Sequence, residues 1–171
     1  MKFKVPLILG AVALCGAISA SSRDAEAVPP GAAVNHRIRN AFVDRCQTAV
    51  PGEVFVQNTG CVTTSSFQRW RTVHAGGIVY AIQNVGLSND LGFPMCEEAA
   101  TPQAGVELTL NPCVPGQPSQ QWTVIPAGPD RYRICQSDGL NYYCKTAGAA
   151  GTNIRLEQYG NNPLQIWRFL P

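Results

Sequence analysis

The frame Gln-x-Trp occurs three times in this chain, as Gln68-Arg69-Trp70, Gln120-Gln121-Trp122 and Gln165-Ile166-Trp167, and it uses every tryptophan present. Self-similarity of this kind constrains a fold more than local propensity does, because each copy must bury its apolar face against the others. A second landmark precedes each mark: His36-Arg37-Ile38, Tyr80-Ala81-Ile82 and Tyr132-Arg133-Ile134. The distance from Ile to Trp is 32, 40 and 33 residues. The middle copy carries its extra length in SNDLGFP and CVPGQPSQ, which read as loops, where insertions are tolerated.

Between the landmarks the pattern is short and alternating: IVYAI, VELTL, QWTVI, YRI, IRL, IWRF. Gly, Pro, Asn and Asp interrupt it every few residues, and no stretch sustains a helical apolar stripe. The chain therefore reads as all-β, with three unequal copies closing a barrel around a common core. Each Trp is expected in that core. Each Gln amide is expected to be tied to local backbone, since a buried amide must be hydrogen-bonded. His36 is placed in a first strand and His74 in a turn before Gly76-Gly77.

Residues 1–20 read as a secretory signal peptide: Lys2 and Lys4, then an apolar stretch from Val5 to Ile18 too short to span a bilayer comfortably, then small residues. An alternative cut follows Ala27. Leu14, just before Cys15, is too large for a lipoprotein site. Residues 21–34, small, polar and Pro-rich, read as a flexible leader. Without residues 1–20 the chain has 11 basic and 11 acidic side chains, which argues against a nucleic-acid footprint. No membrane span is expected after residue 20.

Six cysteines fall inside the frame, two per copy: Cys46 and Cys61, Cys96 and Cys113, Cys135 and Cys144. An even number in an exported chain implies disulfides, and the simplest pairing is one local bridge per copy. Zinc is a poor reading, with no C-x-x-C and only two histidines. No cofactor or metal is expected.

Three copies ending in Gln-x-Trp, each with a Cys pair, resemble the ricin B-type β-trefoil lectins. The resemblance covers residues from about 35 to 171, with copies of about 35–76, 77–127 and 128–171. It implies a 12-stranded β-trefoil with one shallow carbohydrate pocket possible per copy. A working pocket of that family has an Asp two positions after the first Cys, an aromatic two before the second, and often an Asn before the Gln. The first copy holds Thr48, Thr59 and Phe67 at those places; the second holds Glu98, Asn111 and Ser119. In the third, Cys144 stands as the first Cys and Tyr159 as the second, so the places are Thr146, Glu157 and Leu164. Cys144 is then expected to pair back with Cys135. The ligand-binding candidates carried over are Glu98, Asn111 and Gln120; Tyr142, Tyr143 and Tyr159 read as packing or edge-strand aromatics.

No nucleophile–base arrangement is legible. Glu97 and Glu98 are adjacent, so on a strand they face opposite ways and do not form a carboxylate pair. The resulting expectation is a secreted, non-enzymatic carbohydrate-binding module with partly degenerate pockets, taking galactose-type or xylan-type glycans. The alternative is a protein-interaction trefoil with a secreted protein partner: a companion or delivery subunit of a toxin-like complex, or a protease inhibitor.

Overall fold

The computed structural model describes residues 35–171; the signal peptide and leader expected over 1–20 and 21–34 lie outside the described residues. The strands run in chain order. The first copy has β1 (Arg37–Asn40), β2 (Cys46–Ala49), β3 (Val56–Thr59) and β4 (Trp70–Gly76). The second has β5 (Val79–Asn84), β6 (Met95–Glu98), β7 (Thr109–Pro112) and β8 (Gln121–Pro126), with a helix α1 (Val85–Leu91) between β5 and β6. The third has β9 (Tyr132–Ser137), β10 (Tyr142–Thr146), β11 (Thr152–Asn153), β12 (Arg155–Gln158) and β13 (Trp167–Leu170). Thirteen strands replace the expected twelve, the third copy supplying five where the others supply four.

All named pairings are antiparallel, and six strands form a ring. β4 pairs with β5, β5 with β8, β8 with β9, β9 with β13 and β13 with β1. A bridge between His36 and Trp70 returns β1 to β4, with N···O distances of 2.8 and 2.7 Å. Six of the remaining strands form the hairpins β2–β3, β6–β7 and β10–β12, and the short β11 pairs with β3. A ring of backbone bonds joins those hairpins: Val56 N–H to Leu108 O at 2.9 Å, Leu108 to Ile154 at 2.9 Å and Ile154 to Val56 at 2.8 Å. This barrel with three hairpins is the β-trefoil.

The landmarks are the core. Trp70, Trp122, Trp167, Ile38, Ile82 and Ile134 have no accessible surface. Period-two alternation delivers them: β5 alternates half-buried and buried along its whole length, so Tyr80, Ile82 and Asn84 point inward together. Each indole N–H donates to a main-chain carbonyl one residue after a cysteine: Trp70 to Gln47 at 3.0 Å, Trp122 to Glu97 at 3.1 Å, Trp167 to Lys145 at 3.0 Å. The threefold order thus extends to side-chain hydrogen bonds, with no buried indole donor left orphaned.

Three disulfides are present, Cys46–Cys61, Cys96–Cys113 and Cys135–Cys144, each within one copy. The third differs in kind. Cys135 and Cys144 face each other across β9 and β10, whereas Cys46 and Cys96 are bridged to the far side of their own hairpins.

Two local expectations are corrected. SNDLGFP is not all loop: Ser88–Leu91 complete α1, whose cap Asn84 accepts from Leu87 N–H at 2.8 Å and which ends at Gly92 with φ 77°. His74 lies inside β4 opposite Tyr80 rather than in a turn; the turn begins at a bulge between His74 and Gly76.

Candidate functional site

The Gln of each mark ends a 3₁₀ turn, Ser66–Gln68, Pro118–Gln120 and Pro163–Gln165, and is buried. Its amide makes the same three contacts each time. The carbonyl oxygen accepts from the main chain: from Val62 at 2.7 Å for Gln68, from Val114 at 2.8 Å for Gln120 and from Gly160 at 3.2 Å for Gln165. The NH₂ donates to a carbonyl oxygen two residues earlier in the chain: Gly60 at 2.8 Å, Pro112 at 3.0 Å and Gln158 at 2.9 Å. It donates again to the side chain two residues after the hairpin cysteine: Thr48 at 3.0 Å, Glu98 at 2.9 Å and Thr146 at 3.4 Å. Gly160 plays the part of Val62 and Val114, so Tyr159 occupies the place of Cys61 and Cys113.

Gln120 is therefore a positioning residue. It aims the Glu98 carboxylate, whose other oxygen accepts from the Ser119 hydroxyl at 3.1 Å. Glu98 and Glu97 do face opposite ways: Glu97 is fully buried and Glu98 is half-buried. Glu98 lines a cleft of about 590 Å³ with Gln117, Ser119, Gln121, Gln136 and Ser137. Asn111 is not part of that lining. It sits on β7 opposite Cys96, and its amide donates to the Thr109 hydroxyl at 3.2 Å.

The third copy holds a larger cleft, about 730 Å³, at the corresponding place. Thr146, Glu157, Leu164 and Gln165 line it, together with Arg155 and Asn153. Arg155 Nε lies 2.6 Å from Glu157 Oε1, and Asn153 donates to Glu107 Oε2 at 3.0 Å. The second copy thus contributes Glu107 to the third copy's cleft, a juxtaposition that no single-copy motif encodes. The first copy has a neutral pair in the corresponding place: the Thr48 and Thr59 hydroxyls lie 2.6 Å apart and both accept from Gln68.

Gln136 was also hidden in the sequence. Its amide donates to Ser119 O at 2.6 Å, as Asn40 does to Leu164 O and Asn84 to Phe67 O, at 2.8 and 2.9 Å. Each stands two residues after a landmark Ile, so the signal was an amide recurring in register. Tyr142 and Tyr159 are half-exposed outside both clefts, with the Arg133 guanidinium 4.9 Å above the Tyr159 ring. Tyr143 donates to Asp138 at 3.4 Å; Asp138 also accepts from Asn141 and Leu140 N–H, which hold its carboxyl below the usual range. Among the described residues no group of three or more His, Cys, Asp or Glu is arranged to hold a metal.

The family model of the ricin-type beta-trefoil lectin domain-like proteins matches residues 66–157, more than half of the chain. The chain belongs to this family. Among solved structures, the ricin-type trefoil resembles a Macrolepiota procera ricin B-like lectin in complex with lactose, at TM-score 0.64 and 15% identity over 82% of this chain and 96% of that one. It resembles an exo-beta-1,3-galactanase from Clostridium thermocellum at 0.65 and 17%, over 83% of this chain but 31% of the enzyme. It also resembles the Haemophilus ducreyi cytolethal distending toxin at 0.60 and 11%, over 84% of this chain and 86% of that one. At these identities the structural likeness establishes the ricin-type trefoil fold. A comparison with curated proteins returns no match.

Proposed function

We propose that this ricin-type trefoil is an exported, non-enzymatic glycan-binding module, using the clefts of its second and third copies. One observation carries the reading. In each of the two copies an open cleft of mixed polar and apolar lining keeps a carboxylate, Glu98 two residues after the hairpin cysteine in one and Glu157 on the facing strand in the other. A carboxylate has about four lone-pair sites, and Glu98 spends two on Ser119 and Gln120. The rest can accept from paired sugar hydroxyls, and the volumes lie within the roughly 300–1,000 Å³ of small-molecule sites. Asn111 is assigned a supporting role, ordering Thr109 beside Glu98. Export is supported by the three disulfides. No described helix is long and apolar enough to cross a membrane.

The test is titration with galactose, lactose and xylo-oligosaccharides, followed by amide chemical shifts. Shifts at millimolar sugar should cluster around Glu98 or Arg155. Glu98→Ala should weaken the second cleft by about 1.5–3 kcal/mol, the worth of a hydrogen bond to a charged group, and leave the third unchanged. A flat response to every sugar would end the glycan reading.

One observation favours the second reading, a protein-interaction trefoil in a toxin-like assembly. No aromatic ring lines either cleft, so no platform covers the apolar face of a sugar. A stable complex with an exported partner, formed by protein inert to sugars, would establish it.

A further inference from the structure

The three residues whose carbonyls receive the indole N–H bonds turn their side chains toward one another at the centre of the trefoil. They are Gln47 on β2, Glu97 on β6 and Lys145 on β10, all with no accessible surface. Lys145 Nζ contacts Glu97 Oε2 and lies 3.1 Å from Gln47 Oε1. Gln47 Nε2 lies 2.9 Å from the same Glu97 oxygen. The ammonium group is 4.7 Å from the Trp122 ring centroid, and Glu97 Oε1 is buried without a hydrogen-bond partner. A sealed amine, carboxamide and carboxyl group, each touching the other two, hold every reactant of an amide exchange.

We propose that the chain joins Lys145 to Gln47 by an isopeptide bond, with Glu97 as the proton shuttle. Burial favours the reactive forms. It pushes the Glu97 carboxyl up against the pull of Lys145, and the Lys145 ammonium down against the pull of Glu97. One proton passes from Lys145 to Glu97, leaving a neutral amine and a neutral acid. The amine, a desolvated lysine nucleophile, attacks the Gln47 carboxamide carbon while Glu97 protonates the carboxamide oxygen. Glu97 then takes a proton from the attacking nitrogen and returns it to the departing one, and it regains the hydroxyl proton as the carbonyl re-forms. The Nζ–C bond forms, the C–Nε2 bond breaks and ammonia leaves; no oxidant or reductant is needed. Holding the three groups together replaces a bimolecular encounter with a unimolecular step. The product would tie β2 of the first copy to β10 of the third, two residues separated by 98 positions, whereas each disulfide stays inside one copy.

The deciding experiment is a reduced, alkylated tryptic digest of the folded protein, read by tandem mass spectrometry. The bond predicts peptide 46–69 joined to peptide 134–155, lighter than their sum by one ammonia, with no cleavage after Lys145. Two separate peptides at full mass, with cleavage after Lys145, would overturn the proposal. Glu97→Gln is expected to restore the separate peptides. A cross-link that persists in that variant would overturn the role of Glu97. The wild-type digest decides the bond itself even if the variant does not fold, and its outcome is independent of any sugar titration.

Discussion

Trp122 shows how much one side chain can settle. It has no accessible surface, and its N–H is satisfied by the Glu97 carbonyl at 3.1 Å. Truncation would remove the ring's packing and leave a cavity that a rigid barrel closes poorly. Trp122→Ala should therefore destabilise the fold by about 3–5 kcal/mol in urea unfolding; a near-neutral result would place the ring outside the core. That burial was legible because three tryptophans kept step with three isoleucines. Glu97 was legible only in part. The alternation of a strand separates it from Glu98, but no rule of spacing announces that Gln47, Glu97 and Lys145 meet. They lie at corresponding places in three copies and carry three different side chains, so a search for similarity passes over them. Nor does spacing show that Asn111 lies outside the lining of the Glu98 cleft, with one amide N–H donated to Thr109.

Among the elements, α1 departs most from the repeat. Seven residues make about two turns, too few for an apolar stripe to show, and SNDLGFP, which supplies the second half of the helix, reads as loop chemistry. The signals were the caps, Asn84 and Gly92, whose left-handed backbone suits glycine. What holds the helix is a close approach to the first copy. A Cβ on Gly86 would come within 2.8 Å of both Phe67 N and Ser66 C, main-chain atoms of the 3₁₀ turn that carries Gln68. Gly86→Ala should consequently cost about 1–3 kcal/mol despite alanine's better helix propensity, because backbone must move to admit the methyl. The measurement is urea unfolding of the pair. A stabilised alanine variant would mean that α1 does not lie against Ser66 and Phe67.

At the scale of the molecule, cohesion and function divide between two sets of contacts. The barrel pairings and the hairpin ring through Val56, Leu108 and Ile154 bind the copies together, while each disulfide closes a loop within a single copy. Removing one bridge should then damage one copy and spare its neighbours. Cys96–Cys113 is the informative one. Cys96 is two residues before Glu98 on β6, and Cys113 adjoins Val114, whose N–H fixes Gln120 and so the Glu98 carboxylate. The closed loop separates its cysteines by 17 positions, for which chain entropy assigns about 3 kcal/mol. Cys96→Ala with Cys113→Ala should lose about that much stability in urea and should broaden the amide signals around Glu98 and Gln120. Signals around Arg155 and Glu157 should hold, because Gln165 anchors their cleft within the third copy through Gly160 N–H and Gln158 O; Asn153, which donates to Glu107 inside the opened loop, should follow the second copy instead. Equal broadening of both clefts would show that the copies do not act as separable units, and that the hairpin ring transmits the loss across the whole trefoil.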